Sequence, residues 1–268
     1  MLIWINSKIA RSSSTITVTG ALPVAVHLVR ELQQREISVV KISVIIPVLH
    51  EGERINAIID SLKSAAAGVA YETIVVDGDS SGGTIERIID TSVITLSAPR
   101  SRASQMNAGS ARASGEVLLF LHADTFLPPK AFPKIIAAIS DKRFTGGAFD
   151  LKITNNKWIF RVISLAASLK HRMTRVPYGD QAIFILRSYF ENIGGYAPVP
   201  LMEDVELMRR VKRQGGRIVI LPETVTTSSR KWENDGIFYT VIRNWLIQTL
   251  YLAGVPSERL VRYYYKVK

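Results

Sequence analysis

The feature that most constrains this chain is an alternation of apolar runs and helical patterns that begins at Lys41. "KISVIIPVL" is a Val/Ile-rich strand, "ERINAIIDSLKSAA" spaces Ile55, Ile58, Ile59 and Leu62 as one helix face, and "YETIVVD" is a strand again. "TIERIID" continues as helix, "VITLSA" as strand, "RASQMNAGSARA" as helix and "EVLLFLHAD" as strand. Strands alternating with helices imply right-handed crossovers and a parallel sheet, with ligands beyond the carboxyl ends of its strands. Pro47 to Glu51, Asp77 to Ser80 and His122 to Asp124 fall at such ends.

The second half is mixed. "AFPKIIAAISD" reads as helix, "TGGAFDLKI" as strand, and "WIFRVISLAASLKHRM" as a helix with polar positions Lys157, Arg161, Ser164, Ser168 and Arg172 at three-to-four spacing. "QAIFILRSYF" reads as a strand entering a turn, "DVELMRRVKRQG" as a helix ending at Gly215, and "RIVILPE" as a strand. Residues 1–40, Ser/Thr-rich and then helical near Leu22 to Arg35, read as an extension preceding one domain over residues 41–268.

Composition narrows the chemistry. A 268-residue chain that is 47% hydrophobic can bury a sizeable core. The absence of cysteine excludes disulfides, thiolate metal sites and a Cys nucleophile, and it suits a reducing cytoplasm. A net charge of +11 favours anionic partners: nucleic acid, anionic lipid or a phosphorylated small molecule. Without a basic run or a helix-turn-helix, zinc-finger or RNP signature, no nucleic acid is expected. "ALPVAVHLVRELQQ" reads as a short amphipathic helix rather than a secretory signal, and "GIFYTVIRNWLIQTLYLAG" is interrupted by Arg243 and Asn244, which are costly in lipid.

In "LHADT", strand periodicity turns His122 and Asp124 to one side and Ala123 to the other, an arrangement that suits a metal ion or a plain turn. Neither G-x-G-x-x-G nor a P-loop is present. "GDSSG" matches G-x-S-x-G, so an α/β-hydrolase using Ser80 is one alternative, although only His122 and His171 follow it. A non-catalytic basic nucleotide-binding module is another.

Taken in order, "ISVIIPVLHEGERI", "IVVDGDSSGGT", "RASQMNAG", "LLFLHADT", "GDQAIF", "IGGY" and "LMEDVELMRRV" resemble the family 2 glycosyltransferases of GT-A fold. That fold is α/β: a Rossmann-like, mostly parallel sheet flanked by helices, with a mixed α/β acceptor half. "LHADT", "PLMEDVEL" and "SSRKW" resemble the subgroup labelled selenodomain-associated transferases, and the likeness covers Lys41 to the carboxyl terminus. It implies inverting transfer of a sugar from a nucleotide-sugar donor, a UDP-sugar by expectation, to an acceptor hydroxyl or carboxyl.

The same resemblance assigns residues. His122 replaces the first Asp of the family's Asp-x-Asp motif, leaving Asp124 to ligate Mg²⁺ or Mn²⁺ with His122 beside it and Ala123 between them. Pro47, Leu49 and Glu51 fall where the first strand meets the nucleobase, and Asp77 where a carboxylate accepts from uracil, although the usual second Asp of that turn is Gly78 here. Arg100 and Arg102 precede a helix carrying Gln105 and Asn107 and are expected to meet phosphate. Glu203 and Asp204 match the acceptor-side acidic pair, with Asp204 as the base. Gly179, Asp180, Gln181, Arg230 and Trp232 would line the acceptor and diphosphate side.

Two apolar segments, Trp158 to Leu169 and Ile237 to Leu252, are accompanied by Lys157, Arg161, Lys170, Arg172, Arg175, Arg259, Arg262, Lys266 and Lys268. The ordinary fate of such helices is to close a core. Together with the charge of +11, they lead to the expectation of a cytoplasmic enzyme making peripheral contact with the anionic inner membrane face, where it meets a lipid-linked or carotenoid-like acceptor.

Overall fold

The computed structural model describes residues 40–155 and 157–264. The extension read over residues 1–40, with its helix near Leu22 to Arg35, lies outside the described residues except for Val40, as do Lys266 and Lys268.

The expected strands form as β1 (Ile42–Val48), β2 (Tyr71–Asp77), β3 (Ile94–Ser97) and β4 (Val117–Phe120), with α1 (Ile55–Ala66) and α2 (Arg102–Arg112) among them. "TIERIID" does not form the expected helix; it makes only the 3-10 turn Ile85–Arg87. That turn buries none of its residues and Ile89 is exposed, so a helix there would lack the apolar packing that stabilises short helices.

The second half adds β5 (Thr125–Phe126), α3 (Ala131–Ser140), β6 (Gly146–Thr154), α4 (Trp158–Thr174), β7 (Ile183–Leu186), α5 (Arg187–Asn192), α6 (Glu203–Arg213), β8 (Ile218–Ser228), α7 (Arg230–Asp235), α8 (Ile237–Leu252) and α9 (Ser257–Tyr264). The strand in "QAIFILRSYF" passes into α5 rather than a turn.

The strands form one sheet in the order β3-β2-β1-β4-β7-β6-β8-β5. Pairs β1–β2, β2–β3, β1–β4 and β6–β8 are parallel, whereas β4–β7, β6–β7 and β5–β8 are antiparallel. This is the mostly parallel GT-A arrangement, with β7 as the reversed strand between its halves. Register places Val48 opposite Asp77 and Ile45 opposite Phe120, so the segments leaving β1, β2 and β4 emerge along one edge.

Alternation along β1 builds two layers. Ile42, Val44, Ile46 and Val48 pack with Ile58 and Leu62 of α1 and Phe132 of α3. Ile45 packs on the other face with Met106 of α2 and Leu207 and Met208 of α6. Truncating one of these fully buried aliphatics to Ala costs about 2–5 kcal/mol, enough to loosen the strand ends above it.

Helices α4 and α8 are oriented against the usual rule. The buried residues of α4 are Phe160, Ser164, Ser168 and His171, while Trp158, Val162, Leu165, Leu169 and Met173 face outward at three-to-four spacing. The serines are needed inside: Ser164 Oγ accepts from the Ile153 amide at 3.2 Å and Ser168 Oγ from the Leu151 amide at 3.3 Å. Those β6 amides lie beyond the two residues that pair with β7, so α4 covers the open strand edge with hydroxyls.

In α8, Thr240, Arg243 and Ile247 are buried, whereas Phe238, Ile242, Trp245 and Leu246 are exposed. Neither apolar helix meets the ordinary fate of closing a core with its aromatic face: Trp158 is 72% exposed and Trp245 66%. Among the described residues, no helix is long and apolar enough to cross a membrane.

Candidate active site

A cavity of about 810 Å³ opens at the edge where β1, β2 and β4 end. Its walls include Pro47, Leu49, Glu51, Arg100, Arg102, Gln105, His122, Ala123, Asp124 and Glu203, all singled out from the sequence. They also include Pro198, Val199, Pro200, Leu201 and Val261, which sequence reasoning missed. The signal for most of this wall was the Pro-rich "YAPVPL" just ahead of the acidic pair.

The "LHADT" segment is a turn rather than a strand end. β4 stops at Phe120, and the Thr125 amide donates to the His122 carbonyl at 3.0 Å. Strand alternation therefore does not apply, and Ala123, expected to face away, lines the cavity with its two neighbours while packing below into the core.

Two carboxylates, Asp124 and Glu203, line the cavity, and Asp180 and Asp204 are coupled to them by charge. Burial, followed by the charges of Asp204 and Asp124, pushes Asp180 up to about 7, while Arg102 opposes the shift. Burial and then Asp204 raise Glu203, whose Oε1 lies 3.9 Å from Arg102 Nη1. Burial also raises Asp204, even though its Oδ2 accepts from the Gly179 amide at 2.8 Å and its Oδ1 from the Val205 amide at 2.7 Å. An acidic first turn ordinarily profits from the helix dipole; here burial is the largest influence on Glu203 and Asp204 and raises both.

The backbone beside the acids is constrained. Met202, preceding Glu203, has φ of 65°, and Ala182, following Gln181, has φ of 50°. Non-glycine residues in this region carry strain that packed surroundings must hold. A Cβ placed on Gly179 would lie 2.7 Å from His122 Nε2 and 3.7 Å from Asp204 Oδ2, so the missing side chain lets the imidazole and the carboxylate close on one point.

Several expected ligand-binding groups also make hydrogen bonds within the protein. Asp77 is fully buried; its oxygens accept from the Asp79 amide at 3.0 Å and the Thr84 amide at 3.2 Å, so it shapes its own turn. Gln105 touches the cavity, but its amide donates to the Val48 and Val76 carbonyls, each at 2.8 Å, and ties the ends of β1 and β2 together. A Cβ on Gly78 would meet that amide at 3.0 Å, so glycine at this position leaves room for the Gln105 side chain.

Asn107 exchanges two hydrogen bonds with the Tyr196 backbone, at 2.8 and 2.9 Å, and so anchors the Pro-rich wall. Buried Gln181 donates to the Phe149 carbonyl at 2.7 Å. Arg230 pairs with Glu51 at 3.2 Å and lines an adjoining recess of about 270 Å³, whereas Trp232 packs edge-on against Phe160, with ring centroids 6.4 Å apart. Ser80 is exposed, and among the described residues no histidine hydrogen-bonds its hydroxyl, so the hydrolase reading gains no support.

Among the described residues, no three His, Asp or Glu side chains converge into a metal cage. The carboxylates still fit a hard cation shared with a ligand. Asp180 Oδ1 is buried without a hydrogen-bond partner, and the charge of Asp124 acts on Asp180. One or two carboxylates completed by phosphate oxygens and water are a common setting for Mg²⁺.

Residues 43–199 match the family described as Glycosyl transferase family 2. The chain is 27% identical over 208 residues to a dolichol-phosphate mannosyltransferase of Pyrococcus furiosus, covering 71% of this chain and 58% of that protein. It is 32% identical over 106 residues to an undecaprenyl-phosphate 4-deoxy-4-formamido-L-arabinose transferase of Yersinia pestis, covering 36% of this chain and 32% of that protein. The chain therefore spans less than two thirds of either relative. Its fold is similar to a mannosyltransferase from Pyrobaculum calidifontis solved with GDP-Man and Mn2+, with a TM-score of 0.52, 16% identity and coverage of 69% of this chain and 56% of that one. With the family pattern running from β1 through the cavity wall, the chain belongs to glycosyl transferase family 2.

Proposed function

We propose that the chain transfers a sugar, with inversion, from a nucleotide-sugar donor in the 810 Å³ cavity to a lipophilic acceptor that it meets at an anionic membrane surface. The observation that carries this reading is the pair Asp124 and Glu203 in the cavity wall, linked by charge to Asp180 and Asp204 beside it, with Arg102 acting on Asp180, Glu203 and Asp204.

Pro47, Leu49 and Glu51 receive the nucleoside, and Arg100 and Arg102 present guanidinium groups toward the diphosphate. Asp124 with His122 would hold a divalent cation, Mg²⁺ or Mn²⁺, which when bound would offset the negative charge developing on the leaving diphosphate. Asp77, its carboxylate fixed by the Asp79 and Thr84 amides, keeps acceptor positions for a uracil imide, and a UDP-sugar is the donor this reading takes. As the acceptor oxygen bonds to the anomeric carbon, the bond to the diphosphate breaks; the nucleotide takes the electron pair and Asp204, its basicity raised by burial, takes the acceptor proton.

The membrane part rests on the reversed helices. α4 and α8 hide hydroxyls and an arginine while exposing rings and aliphatics, as suits an apolar medium more than water. Exposed Lys157, Arg161, Arg175, Arg259 and Arg262 complement anionic headgroups. Two relatives, the dolichol-phosphate mannosyltransferase and the undecaprenyl-phosphate 4-deoxy-4-formamido-L-arabinose transferase, are consistent with such an acceptor.

Donor hydrolysis screened across nucleotide sugars with Mg²⁺ and Mn²⁺ tests the chemistry. A turnover dependent on Asp124 is expected; hydrolysis of none of the donors, or covalent labelling of Ser80 by a fluorophosphonate, would count against it. Co-sedimentation with anionic vesicles tests the location, with binding expected to fall as salt rises.

A further inference from the structure

Lys170 is an unusual cation in this fold. It is half-buried on α4, its Nζ donates to the Tyr178 hydroxyl at 2.9 Å and to Gln248 Oε1 of α8, and it lies 5.1 Å from the Tyr178 ring centre. All these partners are neutral. The neighbouring cations are compensated: Arg172 pairs with Asp150 at 2.5 Å and Arg243 with Asp235 at 3.1 Å. Among the described residues no carboxylate pairs with Lys170, and burial holds its ammonium below the usual lysine range. A partly desolvated charge with neutral partners is costly until an anion joins it.

Its position gives the anion a direction of approach. Tyr178 opens the turn that carries Gly179 and Asp180, and its hydroxyl feels the charges of Asp204 and Asp180. Lys170 is therefore one side chain removed from the carboxylate cluster. Leu169 and Met173, at one and three residues from Lys170 on α4, and Trp245, three residues before Gln248 on α8, are all exposed. Lys170 thus stands between an outward-facing apolar surface and the acids of the cavity.

We propose that Lys170 and the Tyr178 hydroxyl seat the anionic head group, a phosphate monoester, of a lipid acceptor whose tail lies along the exposed stripes of α4 and α8. This rests on the reading that the acceptor is membrane-borne. Gln248 holds the place in the absence of the head group, its amide oxygen occupying one donor position of the ammonium. A phosphate has enough acceptor oxygens to replace that amide and accept a hydrogen bond from the phenol as well, and in its monoanionic form it keeps the P–OH proton that Asp204 would take.

The test is co-sedimentation of the full chain with neutral phosphatidylcholine vesicles carrying a polyprenyl monophosphate, set against vesicles carrying the parent polyprenol. The wild type is expected to bind the phosphate vesicles about ten- to a hundredfold more tightly, the range of one or two charge-assisted hydrogen bonds. Lys170→Met should bind both alike, and Lys170→Arg should keep the preference. Lys142→Met, which removes the same charge from an exposed turn elsewhere, should also keep it. Circular dichroism melts establish that each variant is folded. Equal binding of the two vesicles by the wild type, or a preference that survives in folded Lys170→Met, overturns the seat while membrane contact stands. A wild type that stays in the supernatant with every vesicle, anionic phosphatidylglycerol included, removes the membrane reading and the seat together.

Discussion

Gly179 and Asp204 meet through one hydrogen bond, the Gly179 amide donating to Asp204 Oδ2 at 2.8 Å across a separation of 25 residues. The contact joins the turn holding Asp180 to the first turn of α6, and His122 closes on the same point from the β4 side. Gly179→Ala would force the imidazole away, because its new Cβ would lie 2.7 Å from Nε2. Misplacing reacting groups by fractions of an ångström to an ångström lowers turnover by about a hundredfold, so kcat should fall by that order while the melting temperature changes little. Steady-state kinetics beside a thermal melt would expose the idea if kcat held.

Asp204→Asn keeps an oxygen able to accept from Gly179 but removes the basic carboxylate. Turnover should drop about 10²- to 10⁴-fold, with donor affinity nearly retained. Titration of the donor by calorimetry separates the two effects. An equal collapse of donor binding would move Asp204 out of the role of base.

Asn107→Ala leaves the Tyr196 amide and carbonyl without their side-chain partner. Stability should fall by about 1–3 kcal/mol. Because Tyr196 leads directly into Pro198 to Leu201 of the cavity wall, the donor KM should also rise. Urea denaturation and donor kinetics on one preparation would show both changes; a stability loss with an unaltered KM would detach the anchor from the wall.

His171 makes α4 sensitive to acid. Burial, and then the charge of Lys170, lowers it from 6.5 to about 4, with Gln181 opposing the shift; Tyr178 faces its ring at 4.5 Å. The unfolded chain takes up this proton near 6.5 and the folded chain only near 4, so the stabilisation is complete above 6.5 and is lost as pH falls toward 4. The loss is on the order of 3 kcal/mol. Melts of wild type and His171→Leu at neutral pH and near the lower limit should differ by that amount in their pH dependence, and parallel curves would remove His171 as the cause.

Side-chain periodicity made the strands β1 to β4 and helices α1 and α2 readable, because burial on both faces of a sheet leaves a continuous apolar record. The "LHADT" and "LMEDVEL" segments likewise announced the cavity, since short motifs carry their chemistry in adjacent positions. Gln105, Asn107 and Gln181 were harder. Each is an amide whose partners, Val48 with Val76, Tyr196 and Phe149, lie far away in sequence, and the same side chain would serve a ligand equally well. Periodicity also located the stripes of α4 and α8 without saying which faces inward. The open amides of β6 decide that for α4, and no pattern local to the helix records them.

The outward-facing rings of α4 and α8 bear on how this protein behaves in a test tube. In buffer without lipid or detergent, Trp158, Leu165 and Met173 of one molecule can leave water only by meeting another molecule, and the same holds for Phe238 and Trp245. Self-association that grows with concentration and disappears when a bilayer or micelle is supplied follows from that surface. Under the proposed membrane contact, a sedimentation profile recorded in plain buffer would report copies competing for the place of a bilayer rather than a native assembly.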